Sequence, residues 1–109
     1  MRISEVAEKT GLESLNAYED ADLSGVYISD MVSDIITGAR NGCALVTLQT
    51  HKSLVAAANL VDAAMIVIAH GKRPGDDVVE LADRAGLALF SSPDDTWTYA
   101  VKLFDLGMR

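Results

Sequence analysis

Residues 63–69, AAMIVIA, running into HGKRPGDD at 70–77, decide the fold. The run is apolar at odd and even positions alike, so neither side of it is meant for water. A strand of that kind is central and covered on both faces, as in parallel sheets flanked by helices. Gly71, Pro74 and Gly75 then break the chain, and Val78, Leu81, Ala82 and Ala85 recur at helical spacing until Gly86. The unit is strand, loop, helix.

The same unit repeats in both directions. Upstream, CALVTL (43–48) is a strand entered through the Asn41-Gly42 turn, and residues 51–61 form a helix facing inward through Leu54, Val55, Ala58 and Val61. Before it, SGVYIS (24–29) is a strand, and Asp30 to Ala39 is a helix placing Met31, Ile35, Ile36 and Ala39 on one face. Downstream, LALF (87–90) is the last strand. SSPDD opens the final helix, with Ser92 as N-cap, Pro93 at the first position and Asp95 in the first turn. Residues 3–10 carry a weaker helical stripe ended by Gly11, and Leu12 to Ala17 suit a short edge strand. Strand and helix alternate about every twenty residues from position 24, which suits βα units with short right-handed crossovers. The expectation is an α/β protein: one domain over 1–109, a three-layer α/β/α sandwich with a mostly parallel sheet of about five strands.

Composition narrows the function. The formal charge is −7, and residues 1–30 hold seven acids against Arg2 and Lys9, a net of −5. Such a surface disfavours nucleic acid and anionic membranes. Cys43 is the only cysteine, so no disulfide framework or Cys-rich zinc site is available. The first twelve residues lack the apolar core of a signal peptide, and Asn59 and Asp62 interrupt the longest apolar run. A soluble cytoplasmic protein without a cofactor is expected.

In open α/β sheets a ligand sits beyond the carboxyl ends of the strands. Four loops reach that edge, and they supply Ser29, Asp30, Thr50, His51, Lys52, His70, Gly71, Lys72, Arg73, Ser91 and Ser92 as candidate ligand-binding residues. Lys52, Lys72 and Arg73 make it the one locally basic edge, suited to an anion. Ser29 or Asp30, Thr50, Gly75 or Asp76, and Ser92 equally suit helix N-caps, which accounts for them without any ligand. His51 and His70 lack a third ligand at metal spacing, and no metal site is assigned. HGKRPG matches neither the G-x-x-x-x-G-K-[ST] nor the G-x-G-x-x-G phosphate loop. No nucleophile with a placed base is visible, so no catalytic residue is assigned. The enzymatic alternative rests on His51 or His70 as a general base.

The order GVYISDMVSDI, NGCALVTLQTHKSL, AAMIVIAHGKRPGDDVVELADRAGLALFSSPDDT and the closing aromatic helix resembles the DRTGG domain family over about residues 1–107. The resemblance implies the three-layer sandwich, similar to the N-terminal domain of HPr kinase/phosphorylase. Members occur alone or attached to CBS-type nucleotide-sensing domains, phosphotransacetylases and BioD-like domains, which implies a regulatory or dimer-forming module. Short relatives accompany redox and iron–sulfur proteins, which implies such a protein, or another regulatory protein, as a partner. The family's Asp-Arg pair would fall near Thr50-His51, and its Thr-Gly-Gly on Ala69-His70-Gly71, where only Gly71 matches.

The last helix carries two apolar stripes: Trp97, Ala100, Val101 and Phe104, and Tyr99, Leu103 and Leu106. Covering a sheet needs one. Trp97, Tyr99, Leu103, Phe104 and Leu106 are therefore candidates for a homodimer interface, although deep packing in a small domain accounts for the same girth. The leading expectation is a non-catalytic regulatory or interaction module forming a homodimer. The alternative is a sensor of a phosphate-bearing or other anionic metabolite at the strand ends.

Overall fold

The computed structural model describes residues 1–109. In chain order the elements are α1 (Ile3–Thr10), β1 (Glu13–Ser14), β2 (Val26–Ile28), α2 (Val32–Gly38), β3 (Ala44–Thr47), α3 (Lys52–Leu60), β4 (Met65–Ile68), α4 (Asp76–Ala85), β5 (Ala88–Ser91) and α5 (Thr96–Asp105). The sheet runs β1-β5-β4-β3-β2. β2 to β5 are parallel, and β1 pairs antiparallel with β5 through Glu13↔Ser91 and Ser14↔Phe90. This is the expected three-layer sandwich with a mostly parallel five-stranded sheet.

β4 is wholly buried, and its alternate residues enter two separate cores. Ile66 and Ile68 join Leu45 and Leu89 beneath α2, α3 and α4, which contribute Ile35, Leu54, Val55, Val78 and Ala82. Met65 and Val67 join Val46 and Phe90 beneath α1 and α5, which contribute Ile3, Val6, Tyr99 and Leu103. The three crossover helices therefore share one face of the sheet, and the two terminal helices cover the other.

Two polar devices secure the terminal layer. Thr10 Oγ1 lies 2.6 Å from the Val6 carbonyl and 3.1 Å from Tyr99 Oη, so one buried hydroxyl pair joins α1 to α5. Asp20 accepts from Ser4 through its backbone N–H at 3.0 Å and from its hydroxyl at 2.5 Å, pinning the start of α1. Those bonds, with Arg2 alongside, hold the Asp20 carboxyl down at about 2.

The structure also revises several local expectations. The edge strand expected over 12–17 contracts to two residues because Asn16 replaces the ladder with its side chain. Its Nδ2 donates to the Leu87 carbonyl at 2.8 Å, and its Oδ1 accepts from Leu89 N–H at 3.0 Å. α2 starts at Val32, so Met31 is its N-cap and is 64% exposed; of the four residues expected on its inner face only Ile35 is buried. Ser92 does not cap α5. Its N–H still donates to the Ile68 carbonyl at 2.8 Å, which extends the sheet by one residue and leaves Pro93 and Asp94 in the loop. Asp95 is the cap, accepting from Thr98 N–H at 2.7 Å, and this lowers its carboxyl from the usual range. No helix is long and apolar enough to cross a membrane.

Burial pushes the Tyr99 hydroxyl from 10.0 up to about 12; the nearby Asp94 charge adds to the shift and the Thr10 bond opposes it. The unfolded chain thus loses this proton first as pH rises. Stability due to Tyr99 is complete below about pH 10 and falls at roughly 1.4 kcal/mol per pH unit towards pH 12. Urea unfolding followed from pH 8 to 11 is expected to show that decline, and Tyr99→Phe is expected to flatten it. Truncating Ile66 to Ala in the other core is expected to cost about 2–5 kcal/mol in the same assay.

Candidate functional site

The carboxyl ends of β2 to β5 lie along one edge, as parallel pairing requires, and the four loops leave from there. α2, α3 and α4 turn to one face after their strands, whereas α5 turns to the other. Adjacent loops therefore diverge at one place, between β4 and β5, and divergence of that kind is what opens a ligand crevice in α/β sheets. HGKRPG lies at this point.

The mouth is closed by the chain's own backbone. His70 N–H donates to the Asp94 carbonyl at 2.8 Å, Gly71 N–H to the Ser92 carbonyl at 2.6 Å, and Lys72 N–H to the Ala69 carbonyl at 3.3 Å. Ser91 Oγ donates to the Lys72 carbonyl at 3.1 Å, and Ser92 Oγ accepts from Asp94 N–H at 3.1 Å. Both serines are buried. His70 and Gly71 take left-handed conformations, φ 63° and 64°. Two such residues in a row let successive N–H groups turn towards the neighbouring loop; glycine adopts this conformation freely, and histidine does so at a cost.

Arg73 forms an ion pair with Glu13 on β1, so its charge is neutralised. Together with Gly11, Gly71, Ser91 and Pro93 the pair lines a recess of about 300 Å³. Lys72 is exposed and carries no carboxylate partner, while Asp94 holds Lys102 at 2.6 Å on the opposite side.

The other two loops are tied separately. Asp30 Oδ1 accepts from Leu48 N–H at 2.7 Å and from Thr47 Oγ1 at 3.3 Å, and the Asp30 carbonyl accepts from Gln49 Nε2 at 3.1 Å. Ser29 Oγ accepts from Met31 N–H at 3.2 Å. The α3 cap is not Thr50 but His51, whose Nδ1 accepts from Ser53 N–H at 3.2 Å. Lys52 is the first helical residue and is exposed. The edge thus holds two lashed pairs of loops rather than one convergent constellation. No three His, Cys, Asp or Glu side chains come together anywhere in the chain. Cys43, at the opposite end of β3, is buried, and burial raises its thiol.

The candidate interface residues separate into two sets. Tyr99 and Leu103 are buried against the sheet and Leu106 is half-buried beside them, so these three belong to the core and not to a free surface. Trp97 and Phe104 are 77% and 61% exposed, and Val101 between them is 37% exposed. The sequence marked both stripes; only the sheet contacts tell inner from outer.

The DRTGG domain, as a sequence family, matches residues 5–106. The chain belongs to the DRTGG domain family. The domain also superposes on the CBS and DRTGG domains of the regulatory region of Clostridium perfringens pyrophosphatase, solved in complex with its activator diadenosine tetraphosphate. The TM-score is 0.76 at 14% sequence identity, over 98% of this chain and 50% of that one. At that identity the likeness concerns the fold, and this chain spans half the length of its neighbour. No curated protein matches the chain.

In this DRTGG domain His70 and Gly71 form a left-handed pair, and glycine suits both positions because it has no Cβ to clash there. His70→Gly is expected to relieve the strain and raise stability by up to about 1 kcal/mol, and His70→Val to lower it by about 1–2 kcal/mol. Urea denaturation of both variants measures the difference.

Proposed function

We propose that this DRTGG domain is a non-catalytic regulatory module that works through protein contact and forms a homodimer. The observation that carries the proposal is the outer face of α5, where Trp97, Val101 and Phe104 are exposed at helical spacing although the inner stripe already covers the sheet. Large aromatic side chains in one contiguous exposed patch mark an interaction surface. The strand-end edge supports the same reading, since its serines, its capping histidine and its loop N–H groups are engaged in holding the loops together. The one serine–histidine contact at this edge, Ser53 Oγ to His51 Nδ1 at 3.2 Å, belongs to the α3 cap, where the same ring nitrogen accepts from Ser53 N–H.

A second reading, as a sensor of a phosphate-bearing ligand, is favoured by the divergence of loops between β4 and β5 and by the unpaired Lys72 beside it. The neighbour's regulatory region binds a dinucleoside polyphosphate. An anion entering here has to open the Arg73–Glu13 pair, which releases a guanidinium suited to phosphate.

Light scattering at micromolar concentration is expected to give twice the chain mass. Trp97→Ala combined with Phe104→Ala is expected to give a monomer whose melting temperature, read under dissociating conditions, matches that of the parent, because both side chains lie outside the core. A parent protein that stays monomeric refutes the dimer. For the second reading, inorganic phosphate or diadenosine tetraphosphate is expected to raise the melting temperature saturably, and Lys72→Ala with Arg73→Ala to abolish the shift. A flat titration sinks it.

A further inference from the structure

We infer that the second copy docks on α5 antiparallel to it, across a twofold axis passing beside Val101. This rests on the homodimer reading and adds its geometry. Trp97 and Phe104 stand seven residues apart, about 10 Å along the helix, with Val101 near the midpoint. A helix face of that form is self-complementary when reversed: each Trp97 meets Phe104 of the second copy, and the two Val101 side chains meet each other. A twofold axis makes both contacts at once and closes the assembly at two chains.

Charge selects this direction over the parallel one. At the C-terminal end of the stripe the Arg109 guanidinium stands 4.1 Å from the centre of the Phe104 ring. Its Nη1 also donates to the Phe104 and Met108 carbonyls at 3.3 and 2.9 Å, which keeps it at the end of the helix. The N-terminal end carries the exposed carboxylate of Asp95, Asp94 being already paired with Lys102 at 2.6 Å. Antiparallel docking brings each Arg109 to the acidic end of the other copy, whereas parallel docking sets cation against cation and acid against acid. The opposed helix dipoles favour the same arrangement.

Disulfide trapping tests the register. At a helix separation of about 8–10 Å, the two residues 101 are offset by about 1.5 Å along the axis and fall within disulfide reach. The two residues 97 are about 10 Å apart along the same direction and fall outside it. Val101→Cys is expected to become a covalent dimer under mild oxidation, with Trp97→Cys cross-linking at least tenfold less; the buried Cys43 leaves the parent protein unlinked. Arg109→Glu is expected to weaken the dimer at least tenfold at low salt, with a smaller effect at high salt. If the parent protein is dimeric but Trp97→Cys links to itself while Val101→Cys does not, this geometry is wrong and the homodimer stands. A monomeric parent overturns both.

Discussion

Everything in this domain follows from β4 having no polar side. Met65, Ile66, Val67 and Ile68 are all fully buried, and because side chains alternate along a strand they need cover above and below. At about 1.5–3 kcal/mol for each large apolar side chain buried, leaving either face open forfeits several kcal/mol of a stability that totals only about 5–15 kcal/mol. One layer comes without effort, since three consecutive crossovers running the same way along the sheet put α2, α3 and α4 on the same face. The other must come from outside the βα series, and α1 and α5 supply it. Tyr99 and Leu103 are thereby committed to the sheet, and the hydroxyl of Tyr99 is committed to Thr10.

That division creates the divergence between β4 and β5. Where one loop turns up and the next turns down, backbone N–H groups and carbonyls are left facing each other across a gap. The chain resolves this with bonds from His70 and Gly71 to Asp94 and Ser92. It is the left-handed backbone at His70 and Gly71 that makes the bonds reachable, so the local strain and the closure of the crevice have one origin. The point where ligands are most often found in such sheets is here occupied by the domain's own main chain.

The fold was legible because it is written in periodicity. The uninterrupted apolar run 63–69, the helical stripes ended by Gly11 and Gly86, and the even spacing of units leave little choice of architecture. The boundaries that shift are those decided by particular hydrogen bonds rather than by periodicity. Asn16 ends an edge strand by taking over its ladder bonds, Ser92 prolongs the sheet where Ser-Pro suggests a cap, and His51 caps a helix where Thr50 has the more usual chemistry. The candidate site was legible only as a list of residues. Topology gathered its loops on one edge, but whether a serine points outward or at a carbonyl, and whether Arg73 is free or paired with Glu13 sixty residues earlier, depends on contacts that no local pattern encodes.

The outer stripe of α5 poses a different question, because the fold does not need it. With the sheet already covered by Tyr99, Leu103 and Met108, polar side chains at 97, 101 and 104 leave the interior unchanged. Lysine, glutamate or glutamine there would serve helix formation better than tryptophan, valine and phenylalanine do. An exposed aromatic patch on a domain of this size also lowers solubility, which the net charge of −7 offsets only by general repulsion. Within the isolated domain these three side chains carry a cost that the Arg109 guanidinium over the Phe104 ring offsets only in part. On the proposed reading that cost is offset by a contact made outside the chain, where burial of the same surface becomes favourable.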